Sequence, residues 1–164
     1  MAQPVWARVL LPTPDATAAV LGRWRPVTPA DLTMHRRELA AALHDGGRHT
    51  GADEGAVERL LLVFEELGSN ALRHGAAPVD VVLTSFDRFW VLDVSDAASD
   101  RPPAPAVDRD PARGGLGLYM VAGLCGAYGW TTIAGRKHVW ARIDQTFAER
   151  PGRVPRPRDA AEPN

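Results

Sequence analysis

The chain of 164 residues is long enough for one domain with a real core and too short for two. Its 45% apolar and 24% charged residues are ordinary for a globular protein, and a net charge of −1 supplies no basic field for nucleic acid or an anionic membrane. Cys125 is the only cysteine, which excludes an intramolecular disulfide and a thiolate metal cage, and five histidines stand without metal-ligand spacing.

Residues 1–27 contain Pro4, Pro12, Pro14 and Pro26 and read as an N-terminal extension with at best one short edge strand. Residues 1–11 show no charged leader ahead of a long apolar stretch, and no apolar run approaches the ~20 residues of a membrane span. The expectation is a cytoplasmic protein with its domain over residues 28–146. A helix is predicted over residues 33–44, with Met34, Leu39 and Leu43 near one face and Gly46–Gly47 as its stop. Asp53 can cap a second helix that runs to about His74 and closes at Gly75. Strands follow at 79–84 and 89–95, with Phe86-Asp87-Arg88 as the turn between them.

Residues 97–113, with Pro102, Pro103, Pro105 and Pro111, form a long irregular segment of the kind that serves as a lid. A third helix is predicted over 116–127. Strands at 130–134 and 138–143 then flank a turn at Gly135-Arg136-Lys137, and residues 147–164 read as a disordered tail rich in Pro and Arg. Helices alternating with hairpins predict a two-layer α/β sandwich, with helices on one face of a mixed, mostly antiparallel sheet.

Three polar features interrupt this pattern. On a helical wheel Leu60, Val63, Phe64, Leu67 and Ala71 form the buried stripe of the second helix, and Glu65, Ser69 and Arg73 fall on the far side, where water is expected. Glu66, Asn70 and His74 lie at about 240°, 280° and 320°, on the margin of the stripe. A carboxylate can take a proton and an amide oxygen can ligate Mg²⁺, although an amphipathic border explains the same pattern. Next, Trp90, Leu92 and Val94 alternate on one strand face, and Asp96 continues that row. A core-facing carboxylate needs a donor, either a ligand amine or a backbone amide. Last, Gly114, Gly115 and Gly117 run straight into the third helix, where backbone N–H groups can meet an anion.

In these residues the chain resembles the Bergerat-fold ATPases, the superfamily of gyrase and histidine-kinase ATP domains (GHKL). Glu66-Leu-Gly-Ser-Asn70-Ala-Leu-Arg-His74-Gly75 is similar to their N box, Val94-Ser-Asp96 to the adenine box, and Gly115-Leu-Gly117-Leu118 to the second glycine box. The closing hairpin at 135–141 looks like that of the anti-sigma factor serine/threonine kinases. The likeness spans roughly residues 33–143, with the boxes in order.

The resemblance implies ATP and Mg²⁺ as cofactors, with Asn70 on the metal and Asp96 on the adenine amine. It implies a phosphate cradle of Gly114, Gly115, Leu116, Gly117 and Leu118, with His74 at the nucleotide and residues 97–113 as the lid. Glu66 would be the catalytic base, activating a serine on an anti-anti-sigma partner. A sigma factor would be a second partner, and a homodimer is plausible. A non-catalytic ATP- or ADP-binding interaction module of the same fold is the alternative.

Three positions depart from the family pattern. Ala97 and Ala98 replace the glycines that often follow the adenine-site aspartate, and His138 sits where relatives often carry a supporting threonine. Gly68 inside the second helix costs about 1 kcal/mol of helix propensity; either another element approaches closely there or the helix simply tolerates the glycine. His35-Arg-Arg-Glu-Leu resembles a phosphoacceptor histidine only faintly, and a surface histidine accounts for it.

Overall fold

The computed structural model describes residues 6–47, 53–103 and 116–146. The elements in chain order are β1 (Ala19–Trp24), α1 (Pro29–Ala42), α2 (Glu54–His74), β2 (Asp80–Ser85), β3 (Phe89–Asp96), α3 (Leu116–Leu124), β4 (Ala127–Ile133) and β5 (Arg136–Asp144). A single π turn at Leu43–Gly47 ends the first helical region at the predicted glycines. The five strands form one sheet in the order β1-β2-β3-β5-β4, and every pair is antiparallel. One parallel bridge, Arg8 to Trp130, adds the N-terminal segment at the β4 edge. The expected α/β sandwich is present.

Side-chain parity divides the sheet into two faces. Val81 and Leu83, then Trp90, Leu92 and Val94, then Val139, Ala141 and Ile143 point to the helices and join one core. On the other face Phe86, Val91 and Trp140 form a smaller cluster. The α2 stripe meets the first face: Leu60, Val63, Phe64 and Leu67 are at most 2% exposed. Phe64 also takes Trp24 of β1 edge-on, with ring centroids 5.3 Å apart. This packing fixes the rotation of α2, and with it the direction of every polar side chain on its margin.

Several boundaries shift from the sequence expectation. Helix α1 starts at Pro29, not residue 33, because Thr28 and Asp31 form a capping box: Asp31 N–H donates to Thr28 Oγ1 at 3.2 Å and Thr28 N–H to Asp31 Oδ2 at 2.8 Å. The Thr28 N–H and the Val27 N–H, both donating to Oδ2, hold the Asp31 carboxyl below its ordinary range. Leu32 and Leu39 are the buried residues of α1, while Met34 is 49% exposed. Glu65 and Ser69 are half-buried rather than solvated. Helix α1 packs on α2 so closely that a Cβ at Gly68 would stand 2.5 Å from Leu32 Cδ1. The glycine in mid-helix is therefore a contact point. Helix α3 stops at Leu124, and the Gly126 N–H turns to the Arg142 carbonyl before β4 begins. The expected tail at 147–164 lies outside the described residues.

Among the described residues no helix is long and apolar enough to cross a membrane.

Candidate nucleotide site

Asp53 accepts from the Ala56 N–H and starts α2, and the helix keeps its period to the Gly75 cap, whose N–H donates to the Ala71 carbonyl at 2.9 Å. Glu66 and Asn70 lie one turn apart on this helix and are half-buried, and His74 one turn further on is exposed. All three occupy the predicted margin of the apolar stripe.

Helix α3 crosses next to this edge. A Cβ on Gly117, in the first turn of α3, would collide with Glu66 Oε2. The Glu66 carboxylate therefore lies against a helix N-terminus, where the first N–H groups have no intrahelical acceptor. The Leu118 side chain is 2% exposed and belongs to the core, so any contact it makes with a ligand comes from its backbone. Its carbonyl accepts from the Trp6 indole at 3.3 Å, which ties the N-terminal segment to α3. Leu116 opens α3. Gly114, Gly115 and residues 104–113 of the expected lid lie outside the described residues.

At the other end of the site Asp96 finishes β3 in the core-facing row and is 1% exposed. Its Oδ1 accepts from the Ala98 N–H at 2.7 Å and the Ala76 N–H at 3.4 Å. Ala97 N–H donates to the Ala76 carbonyl at 2.8 Å, so the segment leaving β3 is pinned to the segment leaving α2. Asp96 Oδ2 faces Lys137 Nζ at 3.4 Å. Gly75 makes this approach possible, since a Cβ there would stand 2.6 Å from Asp96 Cγ and 2.5 Å from the Ala71 carbonyl oxygen. Gly75→Ala is expected to lower stability by about 1–3 kcal/mol, the usual cost of overpacking, although its backbone suits any residue. Urea unfolding measures it.

The structure moves one sequence assignment. His138 does not stand beside Asp96. It points to the opposite, helix-free face, where Nδ1 lies 2.8 Å from Asp93 Oδ2. Lys137, one residue earlier, occupies the place next to Asp96 and was missed in the sequence. On the helix-free face a concavity of about 620 Å³ is lined by Arg23, Arg25, Asp80, Asp93, Ser95 and His138, away from Glu66 and Asn70. Burial, with Asp144 nearby, pushes the Cys125 thiol up to about 12, which disfavours its thiolate at neutral pH.

The structure thus joins a one-faced sandwich, a polar margin on its central helix and a buried aspartate at a strand end. Residues 26–143 match the model of the histidine kinase-like ATPase domain, most of the chain, and the protein belongs to that family. Among solved structures, a chain of the SiaB–SiaC complex from Pseudomonas aeruginosa is similar with a TM-score of 0.50 at 16% identity, over 76% of this chain and 90% of that one. The histidine kinase AdeS of Acinetobacter baumannii has a TM-score of 0.39 at 16% identity, over 77% of this chain and 69% of that one. At such identity the likeness concerns the fold. No curated protein matches the chain significantly.

Proposed function

We propose that the chain binds Mg-ATP along the margin of α2 and transfers its γ-phosphoryl group to a serine of an anti-anti-sigma-type protein in the cytoplasm, while also engaging a sigma factor. The observation that carries the reading is the contact between Glu66 and Gly117: a candidate base and a helix N-terminus suited to phosphate meet at one point. The family supports ATP as the ligand, and the similar SiaB–SiaC structure, itself a two-protein complex, supports a protein partner.

The residues present fit the ligand. Among the described residues three donors reach the Asp96 carboxylate, which has about four acceptor positions. One position is left for an adenine amine. Asn70 offers an amide oxygen to Mg²⁺ one turn from Glu66. Mg-ATP supplies the electrophilic phosphorus and the metal that neutralises charge on its oxygens. Glu66 holds the proton of the partner's serine hydroxyl as its oxygen bonds to phosphorus and the bond to the β-phosphate oxygen breaks, which leaves phosphoserine and ADP. Gly114, Gly115 and the start of α3 orient the phosphates, His74 lies at the nucleotide's edge, and residues 97–113 exclude water. A homodimer is part of the same proposal.

Glu66→Ala tests the reading. Phosphate transfer from labelled ATP to candidate antagonist proteins is expected to fall by about 10²–10⁴, the contribution of a positioned base, with Mg-ATP affinity retained. Undiminished transfer would sink the assignment of Glu66. Absence of transfer from the unaltered chain, with ATP still bound, would favour the non-catalytic module.

A further inference from the structure

The lysine beside Asp96 calls for an explanation that packing does not give. Lys137 lies in the β5 row of Val139, Ala141 and Ile143, all of which face the helical core, and its side chain is 6% exposed. Burying an ammonium there costs several kcal/mol before any pairing, and replacing a buried ion pair by apolar residues is often neutral or stabilising. Stability therefore does not account for a lysine at this position.

Its geometry does. Lys137 and Asp96 are cross-strand partners in the β3–β5 ladder, so their side chains leave the same face at the same level. The contact of 3.4 Å is long for a charge-assisted hydrogen bond, whose N···O distance is usually about 2.7–2.9 Å. An ammonium has three N–H donors, and its one contact among the described residues, with Asp96, leaves it capacity for more. A fixed acceptor and a donor thus stand side by side where the proposed function places the base.

We propose that Lys137 is a nucleobase-reading residue: its ammonium donates to adenine N1 while Asp96 Oδ2 accepts from the adjacent exocyclic amine. This rests on the ATP-binding reading above and adds a specificity rule to it. Asp96 is held by the Ala98 and Ala76 amides and by the space at Gly75, so the acceptor and donor cannot exchange places. Guanine in the same orientation would set its O6 against the carboxylate and its N1–H against the ammonium, two mismatches of like with like. The pair selects adenine by attraction and rejects guanine by repulsion.

The test is the affinity of the full chain for ATP, GTP and 1-deaza-ATP, in which N1 is replaced by C–H. The unaltered protein is expected to bind ATP roughly 10–100-fold more tightly than 1-deaza-ATP, the span of one hydrogen bond from a charged donor. In Lys137→Met the two ligands should become equal within threefold, and in Lys137→Arg the preference for ATP should persist. The comparison on unaltered protein needs no variant, so a poorly folding Lys137→Met does not remove the test. Equal affinity of the unaltered chain for ATP and 1-deaza-ATP overturns the role of Lys137 and leaves ATP binding standing. Failure to bind ATP at all overturns both.

Discussion

Asp96→Asn is expected to lower the stability of the chain by about 3–5 kcal/mol and to abolish measurable affinity for ATP. The substitution keeps the shape of the side chain and removes its charge. Lys137, 6% exposed at the side chain, is then left as a buried ammonium without its anion. Breaking such a pair costs far more than the pair contributes, because the remaining charge keeps its desolvation penalty. The double variant Asp96→Asn/Lys137→Met removes both charges and should recover most of the lost stability without recovering ATP affinity. Urea unfolding of the three proteins separates these effects. Equal midpoints for the unaltered chain and Asp96→Asn would mean that the buried contact carries no weight.

Phe64→Ala has a comparable expected cost, about 3–5 kcal/mol, for a different reason. Phe64 is fully buried at the centre of the α2 face, and its loss opens a cavity beneath Trp24 that neighbouring side chains fill only in part. The effect should reach the site as well. Glu66 and Asn70 sit on the same helix, and α2 reaches the sheet through β3 and β5. A saturating ligand restores part of the loss: with Mg-ATP at 100 times its dissociation constant, about 2.7 kcal/mol should return. Thermal unfolding with and without nucleotide measures both quantities.

Where the candidate residues lie on their elements was legible because α2 and β3 have strong periods. The Asp53 cap, the apolar stripe and Gly75 bound α2 at nearly the observed residues, and that rotation placed Glu66 and Asn70 on its margin. Alternation in β3 likewise put Asp96 in the buried row. Other features stayed hidden for identifiable reasons. Strand β1 lies in a proline-rich stretch, and a register shift between Val20 and Gly22 breaks its alternation. Thr28, Pro29 and Asp31 carry a capping signal, but the nearby prolines make the stretch read as loop.

Lys137 was concealed by a turn. Gly135-Arg136-Lys137 read as a three-residue turn would begin the strand at His138. The chain reverses instead at Ala134 and Gly135, both with positive φ, as a two-residue hairpin turn requires. Ile133 then pairs with Arg136, and the count along β5 delivers Lys137, not His138, to the face of Asp96. A shift of one residue in a strand exchanges its faces, so the identity of the neighbour of Asp96 depended on the length of a turn.

Calorimetric titration of Mg-ATP into the intact chain, with the charge-free Asp96→Asn/Lys137→Met protein as the folded reference, bears most directly on the site. A saturable heat with one nucleotide per chain in the unaltered protein, absent from the double variant, is the predicted result. No heat from the unaltered protein at millimolar ATP, or the same heat from both proteins, would contradict a nucleotide held at Asp96.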